Sequence, residues 1–331
     1  MKNIKDVAKH ANVSIATVSR VVNNLGGYSL ATKEKVLQAI EELDYQPNGL
    51  ARGLINKRTE TIAVLFPEVS SMFSSKILKG VEDTVHQRGS SVIVCNTASN
   101  GEKTLKYLKV LQEKRIEGIV FVSEIMTEEY YKVISSMKIP VVLVSTESYQ
   151  YSIPYVKVND RHAAFSATDY LIKKGHTKIG MISGNPKDMI AGQPRIEGFL
   201  DALRFHNLID NENNIVCRDN FLFADGYQAL PQLLHKAPDI TAIFVASDEM
   251  ACGAISSANQ MGINVPRDLS VIGYDNLPLA EMTIPPLTTV SQPLEEMGEK
   301  AATMLFKMLE TGEPVESRIM PHTIIERKSV K

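Results

Sequence analysis

The chain has 331 residues, 44% of them hydrophobic and 22% charged, enough to bury more than one core and typical of globular proteins. Its three cysteines, Cys95, Cys217 and Cys252, stand far apart without CxxC spacing, and no apolar run reaches the roughly 18 to 20 residues of a membrane span or follows Met1 in a signal-peptide pattern; this argues against a disulfide framework, a common zinc site, export and a membrane partner, and sets the expected location as cytoplasmic. The net charge of -2 conceals an asymmetry, because residues 1–58 carry nine Lys or Arg against five acids, a surplus of +4, and the remainder carries -6. A basic head on an acidic body suits a polyanion-binding module, but such a surplus is common on protein surfaces and a motif has to decide.

The first predicted helix starts at Asn3, with Asp6 in its first turn and Ile4, Val7, Ala8 and Ala11 on one apolar face. Asn12 is a left-handed stop, and Ser14 caps a second helix that comes after a short turn, the geometry of a helix-turn-helix. On that second helix Val18, Val21 and Val22 form a packing stripe, which leaves Ile15, Ala16, Ser19 and Arg20 outward, where a major groove would meet them. The Arg20 guanidinium matches the paired acceptors of guanine, a discrimination worth roughly 1 to 3 kcal/mol, and Ile15 and Ala16 suit only apolar groups such as a thymine methyl. After a turn at Asn23, Asn24, Gly26 and Gly27, Ser29 caps a third helix expected to turn Val36, Leu37, Ile40 and Leu43 inward.

Beyond Tyr45 and Pro47, the stretch from Asn48 to Ile55 has a cap at Asn48 and an apolar edge at Leu50, Ala51 and Leu54. Two glycines at about 1 kcal/mol each, in a helix shorter than roughly 12 to 15 residues, leave it marginal in isolation. Such a segment makes sense if it folds against its twin in a minor groove with Leu54 as a wedge between base pairs; a plain linker is the alternative.

From residue 60 onward β-rich runs alternate with amphipathic stretches: Ile62 to Phe66, Val92 to Val94, Gly118 to Val122, Val141 to Val144, Lys178 to Ile182, Ala242 to Val245 and Ser270 to Gly273. This alternation indicates parallel, doubly wound sheets, and Val156 to Asp160 reads as a crossover between two similar lobes. Ligands of such sheets sit at the carboxyl ends of strands, which places Phe66 to Ser70, Ser145, Asn185, Ser247, Asp248 and Asp275 around a cleft. No GxGxxG comes after a strand, and GxxxxGK[ST], HExxH and GxSxG are absent, so neither catalysis nor a cofactor or metal is expected.

Taken together, the run from Ile4 through Asp6, Val7, Ala8, Ala11, Val13, Ser14, Ala16, Thr17, Val18, Ser19, Arg20, Val21 and Asn23 resembles the signature of the LacI/GalR family of bacterial regulators. Pro47, Asn48, Ala51, Arg52 and Leu54 resemble its hinge helix, and Val271 to Asp275 with Pro286 to Pro293 resemble its late strand and interlobe crossing. The resemblance implies an all-α helix-turn-helix head (1–46), a hinge (47–59) and an α/β two-lobed body like the periplasmic binding proteins (60–331), with the N-lobe formed by 60–159 and 291–320 and the C-lobe by 160–290 and 321–331. It implies a homodimer on a pseudo-palindromic duplex, contacted through Ser14, Ile15, Ala16, Thr17, Ser19, Arg20, Asn23, Asn48, Ala51 and Leu54. It also implies a small effector, expected to be a sugar or sugar derivative, held by Phe73, Arg195, Phe221, Asp248, Asp275 and Gln292. Asp248 is as well placed to be a helix cap as a ligand contact, and Phe221 could instead be core.

Within that family the chain is most similar to the Gram-positive catabolite-control branch, whose corepressor is a phosphorylated phosphocarrier protein. Where that branch docks its partner with an aromatic–acid pair and an arginine, this chain has Glu295, Glu296 and Thr303, which disfavours a phosphoprotein. A repressor of carbohydrate genes with its own small effector is therefore the main expectation, and a phosphocarrier corepressor the alternative.

Overall fold

Asn3 opens the head as a capping box: its side chain accepts the N–H groups of Lys5 and Asp6 while the Asp6 carboxylate accepts the N–H of Asn3. In the computed structural model, which describes residues 2–22, 25–45, 59–98, 101–209 and 212–331, the chain divides into two units, Met1–Glu60 and Thr61–Lys331. The first holds α1 (Ile4–His10), α2 (Ile15–Val22) and α3 (Leu30–Glu42). Asn12, at φ 52°, turns the chain out of α1, and the Ser14 hydroxyl accepts the Thr17 N–H at 3.0 Å to begin α2. Val7, Ala8, Val18, Val21, Val36 and Ala39 form the small core. Leu37, expected inward, is instead 48% exposed, because the buried stripe of α3 runs through Val36, Ala39, Ile40 and Leu43 and Leu37 falls off that face. Asn23 and the hinge positions Asn48, Ala51 and Leu54 lie outside the described residues.

The second unit contains two six-stranded sheets. One is ordered β11 (Arg318–Met320), β5 (Tyr155–Val158), β4 (Val141–Val144), β3 (Gly118–Val122), β1 (Thr61–Phe66), β2 (Ser91–Asn96). The other is ordered β12 (Thr323–Ile325), β10 (Thr288–Ser291), β9 (Ser270–Asp275), β8 (Ala242–Val245), β6 (Ile179–Ser183), β7 (Ile215–Cys217). Pairings are parallel except that of β12 with β10. Strands β3, β4, β6, β8 and β9 are buried along their whole length, as parallel strands covered on both faces must be, which is why they read as unbroken apolar runs.

Helices cover the sheets: α4 (Met72–Gln87), α5 (Thr104–Glu113), α6 (Glu128–Met137) and α12 (Leu294–Thr311) on the first, α7 (Asp160–Lys173), α8 (Gly192–Phe205), α9 (Phe223–Lys236) and α10 (Asp248–Gln260) on the second, with a short α11 (Leu279–Met282) after β9. The chain passes between sheets after β5, where Asn159 caps α7, again between β10 and α12, and finally between β11 and β12. In each sheet the strand order reverses beside one strand, β1 in the first and β6 in the second, so the loops leaving β1 and β3, and those leaving β6 and β8, part and open a crevice at the carboxyl ends.

Candidate functional site

Two surfaces carry the predicted chemistry. On α2, Ile15, Ala16 and Arg20 are exposed and Thr17 and Ser19 half-buried. The Ser14 hydroxyl is committed to the cap, 2.8 Å from Thr17 Oγ1. Arg20 folds back, its Nε donating to the Gly26 carbonyl at 3.1 Å, and it must exchange that bond to reach a base edge. Gly26 and Gly27 both have positive φ, 69° and 75°, the left-handed conformation that glycine adopts without strain, and the turn they make brings the Gly26 carbonyl to Arg20.

The second surface is a cavity of about 670 Å³ in the crevice between the two sheets. From the first sheet it takes the loop after β1 (Pro67, Glu68, Ser71, Phe73, Ser74), Ser123 to Ile125 after β3, and Ser145 after β4. From the second it takes Asn185 after β6, Ser247 after β8 and Asp275 at the end of β9, together with Asp160 of α7, Arg195 of α8, the Asp219 to Leu222 loop and Gln292. Ser123, Ser145 and Asp275 sit at strand ends with φ of 50°, 54° and 115°, strained conformations gathered around the cavity.

Arg195 is buried and anchored on three sides: Nε and Nη2 donate to Asp160 Oδ1 at 3.0 and 2.8 Å, Nη1 donates to the Ala246 carbonyl at 2.6 Å, and its Cζ lies 3.8 Å from the Tyr274 ring centroid. Burial opposes its charge, but the adjacent Asp160 carboxylate prevails and holds the guanidinium above its ordinary value. Tyr274 Oη also donates to Asp160 Oδ1, at 3.1 Å. The Asp275 Oδ1 accepts from Gln292 Nε2 at 2.7 Å; burial pushes this carboxyl up to about 7, against the downward pull of Arg195 and Gln292. Phe221 stands half-buried at the wall, with Arg195 Cζ 5.7 Å from its ring centroid.

Asp248 is drawn away from the cavity. It is fully buried at the first turn of α10, where the cap is Ser247; its Oδ2 accepts the Leu277 N–H at 2.7 Å and its Oδ1 pairs with Thr289 Oγ1 at 2.5 Å. A Cβ on Gly273 would lie 2.4 Å from Oδ1, so glycine is needed for this carboxylate to reach across β9. Burial, with Asp275 adding to it, pushes Asp248 up to about 8. It corrects the expectation of a ligand contact: Asp248 braces the 275–277 loop that carries Asp275.

Residues 3–48 match the family described as bacterial regulatory proteins, lacI family, and residues 168–330 match the periplasmic binding protein-like domain. Catabolite control protein A of Priestia megaterium is 38% identical over 330 residues, covering 99% of both chains. The chain belongs to the LacI family. The lac repressor dimer bound to operator and an anti-inducer superposes with a TM-score of 0.88 at 26% identity, over 99% of this chain and 98% of that one. The CelR–cellobiose complex superposes with a TM-score of 0.76 at 31% identity, over 99% and 100%.

As a LacI-family protein the chain is a transcriptional regulator and not an enzyme, with a helix-turn-helix head and a two-lobed parallel-sheet body. Regulators of this family bind operator DNA and small-molecule effectors as dimers. Among the described residues no helix is long and apolar enough to cross a membrane, and no cluster of His, Cys, Asp or Glu is built to hold a metal ion. Of the six expected effector residues, the fold gathers Phe73, Arg195, Phe221, Asp275 and Gln292 on one cavity. Sequence reasoning missed Glu124 and Tyr130 on the N-lobe wall and the part played by Asp160 in fixing Arg195. The position of Glu124, two residues past the apolar run ending at Val122, was the available signal, because strand ends face the crevice.

Proposed function

We propose that the chain is a cytoplasmic homodimeric repressor of carbohydrate-utilisation genes, reading a pseudo-palindromic operator through α2 and the 47–59 hinge and controlled by a small carbohydrate held between the lobes. The observation that carries it is the cavity: a fixed guanidinium (Arg195), a carboxyl (Asp275) with its amide partner (Gln292), and aromatic plates (Phe73, Phe221) converge on one space of about 670 Å³. Hydroxyls are suited to such forks and acceptors, and the faces of sugar rings to the plates. The bound cellobiose of the CelR complex supports the same class of ligand. A ligand that bridges both lobes favours one interlobe angle, and coupling of typically 1 to 3 kcal/mol carries this to the DNA-binding side.

The test begins with selection of duplexes by the full chain from a randomised pool, and then measures fluorescence anisotropy of the enriched duplex with and without sugars. Enrichment of a pseudo-palindrome and an affinity change of at least fivefold with one sugar are the expected results. Recovery of no preferred sequence would defeat the DNA-reading part. Leu54→Ala is expected to lower affinity for the selected duplex at least tenfold while leaving a scrambled duplex nearly unchanged; equal losses would defeat the wedge.

A second reading, a phosphocarrier corepressor, is favoured by the likeness to catabolite control protein A. The α12 face opposes it: Glu295 is ion-paired with Lys79, Glu296 and Glu299 are exposed, and Thr303 spends its hydroxyl on the Glu299 carbonyl at 2.8 Å, leaving an acidic surface for a phosphorylated partner. The phosphorylated phosphocarrier, added to the selected complex, is expected to leave the anisotropy unchanged.

A further inference from the structure

The cavity is lined by seven acidic side chains, Asp275 among them only partly ionised near neutral pH, against two cations. Glu68 and Glu124 stand on the N-lobe side; Asp160, Asp188, Asp219, Glu249 and Asp275 stand on the other. Of the cations, Arg195 is neutralised by Asp160 at 2.8 Å, and Lys187 is exposed. A phosphoryl group would enter a field of its own sign, and the neighbouring Arg218, whose Nε and Nη2 are buried without a partner, lines not this cavity but the adjoining pocket, with Asn185, Asp219 and Asn220.

The carboxylates are not poised as bare counter-charges either. Glu124 accepts the hydroxyls of Thr97 and Thr104 at 3.0 and 2.7 Å, and Asp188 accepts the N–H groups of Ile190, Ala191 and Gly192. Glu68 accepts from Ser70, and Asp219 from Asn185. Each is fixed in place by a protein donor and keeps lone pairs for further O–H donors, the arrangement that suits many hydroxyls and no net ligand charge. An independent observation points the same way: the Ser145 hydroxyl lines the cavity buried and without a hydrogen-bond partner, an unmet group that a ligand hydroxyl would satisfy.

Size narrows the class further. Cavities of roughly 300 to 1,000 Å³ enclose drug-sized ligands, and this one, at about 670 Å³, has apolar plates on both lobes, Phe73 and Tyr130 on one and Phe221 and Leu222 on the other. That volume, with apolar side chains contributed from both lobes, is the ground for a ligand larger than a single ring.

We infer that the effector is an uncharged oligosaccharide of at least two rings, and that phosphorylated and carboxylated sugars are rejected. This rests on the carbohydrate reading proposed above. The test is isothermal titration of the full chain with a fixed panel: cellobiose, maltose, lactose, sucrose and trehalose; glucose and ribose; the 6-phosphates of glucose, sucrose, trehalose, maltose and cellobiose; glucosamine; and glucuronate. The expected result is one neutral disaccharide bound at least 30-fold more tightly than any single-ring sugar and than its own 6-phosphate. Tightest binding by a phosphate, by glucuronate or by glucosamine overturns the charge argument, and tightest binding by glucose or ribose overturns the size argument. Binding of nothing on the panel overturns the carbohydrate reading itself, a failure distinguishable from the other two because no sugar of any charge or size gives heat. In Glu68→Gln/Asp219→Asn, whose two side chains are exposed and outside the core, the ratio of neutral to phosphorylated affinity is expected to fall at least threefold with the melting temperature unchanged; an unaltered ratio overturns the electrostatic argument.

Discussion

The two lobes share a strand order, yet they present different chemistry to the space between them. On the C-lobe side the polar groups are bound before any ligand arrives: Arg195 to Asp160 and Ala246, Tyr274 to Asp160, and Asp275 to Gln292 on the crossing between the lobes. On the N-lobe side Glu68 is held by Ser70, Glu124 by Thr97 and Thr104, and Ser71 and Ser74 are spent on the start of α4, but the Ser145 hydroxyl is left unmet. A pre-paired, buried network costs no reorganisation when a ligand binds, and the other wall can supply the contacts that only closure completes. On this contrast, substitutions in the C-lobe network are expected to act mainly on affinity and those on the N-lobe wall mainly on the ligand-dependent change in lobe angle.

The most severe way to break it is Arg195→Ala. Removing the guanidinium strands the buried Asp160 carboxylate, for which a loss of about 3 to 5 kcal/mol is expected, with sugar binding abolished. Thermal melting of the full chain reads the first and titration the second; a variant as stable as the parent would mean that the network is not pre-paired. Asp248→Ala comes next, at about 1 to 3 kcal/mol, since the Leu277 N–H loses its buried acceptor. Asp248→Asn keeps a bond to Thr289, whose hydroxyl can turn to the Val290 carbonyl at 3.3 Å, and removes a titration. Because folding raises Asp248 to about 8, the folded chain holds its proton more tightly than the unfolded one; the associated stability is full below about 4 and is lost as pH rises through about 8. Melting temperatures are therefore expected to fall between pH 5 and pH 9 in the parent and to fall less steeply in Asp248→Asn.

Much of this site was readable in advance because its backbone logic is local. The unbroken apolar runs at Gly118–Val122, Val141–Val144 and Ala242–Val245 are strands buried on both faces, and the residues just past the carboxyl end of a parallel strand face the crevice, so Ser145, Asn185 and Ser247 could be placed without coordinates. Which way a side chain turns was not readable. Asp248 comes one residue after Ser247, yet Ser247 lines the cavity while Asp248 points through Gly273 toward Thr289, a choice made by packing between β9 and β10. Leu37 misled for a related reason: its apolar character says nothing about which of two adjacent helix faces the other helices cover. Asp160 looked like part of a crossover because its partner, Arg195, is 35 residues away.

A gentler probe leaves the sequence intact. Asp275 sits at about 7, and a hydroxyl donated to it favours the ionised form, so a bound sugar expels the remaining proton. Affinity is then expected to fall about tenfold between pH 8 and pH 6, with proton uptake by the buffer visible when titrations are run in buffers of different ionisation enthalpy. In Asp275→Asn both signatures should vanish; their persistence would move the titrating group elsewhere in the cavity.

The smallest effect tests the N-lobe alone. Ser145→Ala removes a buried hydroxyl that has no partner, so it relieves a desolvation cost and the unliganded chain is expected to melt at the same temperature or slightly higher. With the sugar bound, the same change forfeits one hydrogen bond, about 0.5 to 1.5 kcal/mol, or roughly twofold to just over tenfold in affinity. Stability and affinity thus move in opposite directions, a pattern that no mutation in the pre-paired C-lobe network should produce. If Ser145→Ala lowered both, its hydroxyl would already be part of the folded framework, and the contrast between the two walls would be lost.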